Sequence, residues 1–498
     1  MASSCTTTER FAASRGRFEE LVGFMAGDRA GALGHAELEA RLETEGRQLL
    51  CQLYQDHLDL RAEREVRRAV VDAEGTPRRR VEAHHHRSLQ TVFGAVDVER
   101  LAYRQPGRSN LHPADGALNL PAERHSHGLR ELAAVESTRG SFEEAGEAIA
   151  RATGQAVAKR QVEALARRAA TDVETFYDTT SRQPADDADV LVISVDGKGI
   201  VMRPDSLRPA TERAAAAATN KLETRLSKGE KRNRKRLAEV GAVYDLAPVP
   251  RSPTDVLARK NGEEAPPAPK AKGKWVTASV AREAAEVVGR VFEEACRRDP
   301  HRRRHWVALV DGNNHQIERI KAEAAKHDVK VAIVVDLVHV LEYLWGAAWC
   351  FFAEGDPAAE GWVRDRALAV LQGQARAVAA GVRRRATRAR LAKPKRTKAD
   401  ECARYLTNKA AYLDYPAALA AGWPVATGVI EGTCRYLVAD RMDVTGARWS
   451  VDGAEAVLEL RAVRANDDWE AYWRFHQQQE LRRVHQSLYV DGVIPLAA

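Results

Sequence analysis

A chain of 498 residues, 44% apolar and 30% charged, is long enough for roughly two to four domains with sizeable cores and has the composition of a globular protein in water. It holds no run of about 18 uncharged apolar residues, which argues against a membrane partner, and its first ten residues lack the apolar core of a secretory signal, so the expectation is a protein that stays in the cytoplasm. Six scattered cysteines without paired metal-ligand spacing fit reduced thiols, and 77 Lys and Arg against 70 acids give a formal net charge of +7.

The positive charge is concentrated. Lys221 to Arg236 and Arg383 to Lys398 are dense basic runs of the kind that neutralise phosphates, or else solvated helix faces and loops. Residues 15 to 70 read as helix, with Leu42, Leu49, Leu53 and Leu60 near the heptad interval, either a dimer seam or a face packed on its own domain. Gly75-Thr-Pro breaks this pattern, and His84, His85 and His86, which cannot all face one metal, are expected to be exposed. Leu89 to Tyr103 reads as a hairpin bent at Gly94. Ser141-Phe-Glu-Glu144 is a capping box that opens a helix to about Ala152, and after Thr153-Gly154 a second helix runs from Val157 to Tyr177. With Lys159, Arg160, Arg167 and Arg168 on its second helix, this pair resembles a helix-turn-helix DNA reader.

Leu191-Val-Ile-Ser-Val195 is a short buried strand that runs into Asp196-Gly-Lys-Gly, and Gly199-Ile-Val-Met202 suggests the return arm of a hairpin. A third strand is expected at Glu239 to Leu246. The Pro-rich stretch 248–274 reads as an extended or mobile surface insertion, and Trp275 to Val280 either prolongs the third strand or precedes the helix Arg282 to Arg298. The fourth strand, Trp306 to Val310, ends on Asp311-Gly312. Helix Gln316 to Lys326 follows, and the fifth strand, Val329 to Val335, ends on Asp336. Strand, strand, strand, helix, strand, helix, strand is the succession of the ribonuclease H fold, an α/β mixed sheet with helices on both faces. In that fold the first and fourth strands lie side by side, which brings Asp196 and Asp311 into one site. Residues 346–421 read as an all-helical insertion with a basic loop at Lys393 to Lys398. Gly428 then opens a helix with Glu431 in its first turn and Arg435 one turn on, and two helices follow from Asp452 to about Val484. The expected divisions are 1–75, 76–185, 186–345, 346–421 and 422–498.

Two aspartates and a glutamate at one end of a sheet suit two magnesium ions, because hard cations take carboxylate oxygens and keep open positions for phosphates. Val195-Asp196-Gly-Lys-Gly, Val310-Asp311-Gly-Asn-Asn, Asp336-Leu-Val-His339, Gly428-Val-Ile-Glu431-Gly-Thr-Cys-Arg435 and Arg441-Met-Asp-x-Thr-Gly-Ala-Arg-Trp449 together resemble the DDE transposases of the ISKra group of bacterial insertion sequences, over essentially the whole chain. The resemblance implies metal-dependent cleavage at terminal inverted repeats and joining of the 3′-hydroxyl ends to target DNA. It also implies Asp196, Asp311 and Glu431 as catalytic acids and metal ligands, Mg2+ as cofactor with Mn2+ as a substitute, and a bacterial, nucleoid-associated location. Asp336 and His339 match a signature that follows the second acid in Mutator-like transposases, as supporting groups or, for Asp336, as the second acid itself; the alternative is a satisfied polar pair capping the helix after the fifth strand. Arg435, Arg441 and Arg448 are expected to contact phosphates, and Trp449 either stacks on a frayed base or packs in the core. Since two element ends react together, a homodimer or larger assembly on double-stranded DNA is expected. The rival readings are a structure-selective nuclease on the same fold and a domesticated DNA-binding protein.

Overall fold

The computed structural model describes residues 9–180, 186–217, 234–257, 266, 268–426, 428–444 and 446–496. The chain forms two units, one of residues 1–178 with 468–498 and one of residues 179–467. The sequence places a boundary at 421/422 and carries the last segment to the C-terminus; the structure instead returns the chain to the first unit after Asp467.

In the first unit the N-terminal helical region is two main helices, Ala12–Met25 and His35–Glu63, not one continuous rod. The break falls at Gly27 to Gly34, where the Glu37 carboxylate accepts a hydrogen bond from the Gly34 N–H and starts the second helix afresh. Of the leucine stripe only Leu60 is buried, while Leu42 and Leu53 are exposed. Strands β1 (Arg80–Gln90) and β2 (Ala95–Arg104) pair antiparallel about Gly94, whose φ of +149° suits the bend. Leu58 of the long helix packs with Leu89, Val96 and Val98 of this hairpin. The three histidines lie in β1 beside a bulge, each against an acid: His84 with Glu99, His85 with Glu82 and His86 with Asp97.

The capping box forms as read. Ser141 accepts from the Glu144 N–H and Glu144 from the Ser141 N–H, and the helix Phe142–Thr153 ends on Gly154 at φ +69°. The next helix covers Lys159–Ala169 only; the chain turns at Ala170 and restarts as Val173–Thr179. The turn at Asp172 has a purpose that local sequence does not show, because its buried carboxylate receives bonds from His476 and from both terminal nitrogens of Arg483. Arg130, with no solvent exposure, joins the same network through Glu123, Glu480 (2.7 Å) and His476 (3.0 Å). Thus the C-terminal helix Trp469–Glu480 is fastened by charge as well as by Tyr472, whose O–H donates to the Ala169 carbonyl.

The second unit is built on a five-stranded mixed sheet: β3 (Val190–Val201), β4 (Lys235–Leu246), β5 (Ala271–Ser279), β6 (Trp306–Val310) and β7 (Val331–Val335), in the order β5-β4-β3-β6-β7. β3, β4 and β5 run antiparallel to their neighbours, whereas β3, β6 and β7 are parallel. The expected hairpin between Val195 and Met202 does not exist. β3 continues straight through Asp196-Gly-Lys-Gly with β4 paired along its whole length, Gly197 to Glu239 and Gly199 to Leu237. The glycines are there for close approach across the ladder: a Cβ on Gly197 would lie 2.7 Å from a methyl of Leu237. The fifth strand of the sheet is instead β5, which also takes up Ala271 to Lys274 of the Pro-rich stretch. That stretch further contains the short helix Pro253–Leu257; residues 258–265 and 267, and most of the basic run Lys221 to Arg236, lie outside the described residues.

Helices cover both faces of this sheet. Gly241 of β4 points at Val291 of the helix Ala284–Arg298, within 2.4 Å of where its Cβ would be. The preceding residue, Val240, pairs with Asp196, and side chains alternate along a strand, so Asp196 faces the other side. At the far end of the sheet, Asp245 binds Arg298 (2.8 Å) and Arg304 (2.7 Å) and fixes the start of β6. The insertion consists of helices Pro357–Leu371, Ala375–Arg388, Lys393–Asn408 and Tyr415–Ala420. Lys393 to Lys398 is not a loop but the opening of a helix, because Pro394 fits the first turn, where no N–H is needed. No helix among the described residues is long and apolar enough to cross a membrane.

Candidate active site

The parallel part of the sheet brings three aspartates level with one another. Register pairs Ser194 of β3 with Leu309 of β6, and Asp196 and Asp311 each stand two residues further on. Val310 pairs with Val335 of β7, and Asp311 and Asp336 are the next residues on each chain. Neighbouring strands lie about 4.8 Å apart, so these acids form a row across the sheet where β6 and β7 end, with Asp196 inside the longer β3.

Each is held by its own backbone. Asp196 Oδ1 accepts from the Gly197 N–H (2.7 Å), and Asp311 Oδ1 accepts from Asn313 N–H (2.7 Å), at the start of the helix Asn314–Lys326. Asp336, 8% exposed, caps the helix Leu337–Ala348 by accepting from Val338 N–H (2.8 Å). His339, one turn along, pairs with Glu342 (3.2 Å).

The fourth acid arrives from the far end of the chain. Gly428, at φ +62°, starts the helix Val429–Thr433, and Glu431 sits exposed in its first turn, as the sequence predicts. The helix continues as a wider π-turn, Cys434–Ala439, whose loosened carbonyls at Tyr436 and Leu437 are taken up by Arg461. Cys434 meets the sheet directly: its thiol donates to Asp196 Oδ2 at 3.4 Å. Burial, and then the charges of Asp196 and Glu431, push that thiol far up, so it stays protonated. Burial likewise raises the Glu239 carboxyl on β4, with Asp196 adding to the effect.

The insertion clamps the strand ends from the side. Tyr405 O–H donates to the Asp311 carbonyl (2.8 Å) and Tyr415 O–H to the Val335 carbonyl (2.7 Å), one residue before Asp336. The Tyr405 ring stacks on Tyr343 at 3.9 Å. Gly312 serves this clamp: its φ is +91°, and a Cβ would lie 2.9 Å from the Tyr405 oxygen. Gly312→Ala is therefore expected to lower the stability of this unit by about 1–3 kcal/mol through left-handed strain and overpacking. Urea unfolding checks this, and a change below about 0.5 kcal/mol would show that Tyr405 moves aside freely.

The donor chemistry suits a hard divalent cation, since carboxylate oxygens line the row. The packing is not that of a closed cage. Among the described residues no three His, Cys, Asp or Glu side chains are grouped so as to hold a metal ion. The expected convergence of Asp196, Asp311 and Glu431 is thus a shared neighbourhood in which Asp196 Oδ2 is turned to the Cys434 thiol.

The residues expected to meet DNA divide into two sets. Lys159, Arg160 and Arg167 are exposed on their helix, Lys159 near Glu143 (3.5 Å), and Arg168 is drawn into the buried network by Glu123 and Glu480. Arg435 is 82% exposed and Arg448 is exposed. Arg441 and Trp449, however, are 3% and 5% exposed, the guanidinium lying 4.6 Å over the indole and the indole N–H donating to the Met442 carbonyl. This pair is interior packing, and the strand-like bridge from Trp449 to Met202 explains why: the tail of β3 needs a cover.

Sequence reasoning misses Cys434, Tyr405 and Tyr415. Only Cys434 carries a signal, three residues after Glu431 and so on the same helix face. No protein-family model matches the chain, and no curated protein matches it.

Proposed function

We propose that the protein is a DNA transposase of a bacterial insertion sequence, with a ribonuclease H-like catalytic core in its second unit. The observation that carries this reading is the alignment of Asp196, within β3, with Asp311 at the end of the adjacent parallel β6, with the Glu431 helix seated on Asp196 through Cys434. Asp196, Asp311 and Glu431 would hold two Mg2+ ions, or Mn2+ in their place. Such ions supply activation of a water or DNA 3′-hydroxyl and stabilise the leaving oxygen in phosphoryl transfer. Around them, Tyr405 and Tyr415 keep the strand ends from shifting, and Asn313 and Gly197 backbone N–H groups fix one oxygen of each aspartate. Arg435 and Arg448 are open to phosphates of the cut strand, and Lys159, Arg160 and Arg167 to those of the terminal repeat. The reaction joins two ends, so the working form is a homodimer or larger on DNA.

The test uses pre-cut duplex ends taken from the DNA that flanks the gene, mixed with the purified protein, a target plasmid and Mg2+. Joined product is expected. Strand release without joining would replace this reading by the nuclease on the same fold.

A further inference from the structure

We infer that the tip of the helical insertion, where the helix Ala375–Arg388 turns into the helix Lys393–Asn408, is a surface for the phosphate backbone of duplex DNA, read without regard to sequence. Nine of the sixteen residues from Arg383 to Lys398 are Arg or Lys and none is an acid. Arg383, Arg384, Arg388, Arg390, Lys393 and Lys395 are exposed there.

Of the other three, Lys398 is exposed but paired with Glu401 (2.8 Å), and Arg385 and Arg396 are used to build the tip. Arg385 lies 4.6 Å and 4.7 Å over the rings of Phe352 and Phe351 and packs beside Trp362. Arg396 bonds Asp400 (3.0 Å) and the Thr387 hydroxyl (3.2 Å), which ties the second helix to the end of the first. Val382, Ala386, Ala399 and Cys402 are buried beneath. The six outward cations are therefore carried on a braced support, so little ordering of the backbone is needed on binding.

A rigid cluster of like charge is destabilised by self-repulsion unless a polyanion neutralises it, and duplex DNA offers one charge per about 1.7 Å of its axis. An anionic membrane is the poorer match, because the exposed tip carries no large apolar side chain to insert between lipids. The placement deepens the transposase reading, on which it rests for its biological setting, by giving the insertion a hold on DNA away from the acids. The binding itself needs neither metal nor catalysis.

The experiment measures fluorescence anisotropy of an arbitrary-sequence duplex with the full-length protein in EDTA, over a range of salt. R383Q/R384Q/R388Q is expected to reduce the slope of log K against log salt by about three, close to one per cation removed, and R383K/R384K/R388K to keep the wild-type slope. An unchanged slope in the glutamine variant overturns the inference. So does an equal loss in the lysine variant, which would mean altered structure, or a loss confined to vesicles of anionic phospholipid with duplex binding intact. Failure of strand transfer with this slope change intact would sink the enzyme reading alone.

Discussion

Arg130→Met is expected to cost the first unit about 3–5 kcal/mol, because it removes the fully buried cation that Glu480 and Glu123 share. Arg130 has no exposure and binds Glu123, Glu480 and His476. Glu480, 1% exposed, would retain only its contacts to Arg483 and Arg168. Hydrogen exchange should show the loss in helices His127–Ser137 and Trp469–Glu480. Arg130→Met combined with Glu480→Leu should recover part of it, since an apolar pair of similar size carries no desolvation penalty. A loss below about 1 kcal/mol in the single variant would show that water enters the network.

The same network sets an acid limit. Burial alone would raise the Asp172 carboxyl, but bonds from His476 and Arg483 outweigh it and hold it at about 2. Glu480 is likewise held at about 2, with Arg130 and Arg483 overcoming burial. Carboxyls depressed in the fold stabilise it above their ordinary range and cease to do so as pH falls from about 4.5 to 2. His127 acts earlier: burial and then Arg130 bring its imidazole down to about 4. Its contribution is complete above about 6.5 and is lost as pH falls toward 4. Thermal unfolding of the first unit is thus expected to weaken in two stages on acidification, and His127→Gln should reduce the upper one, which His112, His125 and His485, also lowered by burial, share. A flat profile between pH 7 and 4 would contradict this.

What the sequence made legible follows from how local each signal is. The short strands ending on Asp311 and Asp336, the Ser141 capping box and the Gly428 helix start are each written within about ten residues and stand where expected, whereas Leu191–Val195 is only the first part of β3, which runs on to Val201. Gly197 and Gly199 misled because glycine reads as a turn from sequence, whereas here it makes room for Leu237 and Lys235 on a partner more than thirty residues away. β5 was ambiguous because Lys272 and Lys274 hide an edge strand, which tolerates charge. The return of Trp469–Glu480 to the first unit was invisible because His476, Glu480 and Arg483 look like a solvated face until Asp172 and Arg130 are placed against them. Of the site, the common level of Asp196, Asp311 and Asp336 could be read; the course of β3 beyond Asp196, the thiol on Asp196 and the tyrosine clamps could not.

The acids of the site carry the second large expectation. In the joining reaction, Asp196→Asn, Asp311→Asn and Glu431→Gln are each expected to lower the rate by about 10³-fold or more, the effect of removing several kcal/mol of charge stabilisation from the transition state. Asparagine is a sharp probe at the aspartates because their structural bonds survive it. The remaining side-chain oxygen still accepts from Gly197 at position 196, from Asn313 at position 311 and from Val338 at position 336. Asparagine caps helices about as well as aspartate, so Asp336→Asn should leave stability nearly unchanged and reduce the rate by less than about tenfold if Asp336 only starts its helix. If Asp336→Asn instead falls as far as Asp196→Asn while Asp311→Asn stays active, the second acid is on β7 and the Asp311 turn is a clamp point for Tyr405. Unchanged joining by Asp196→Asn would remove the whole row from the chemistry, because β3 is the strand that both the Asp311 strand and the Glu431 helix are built against.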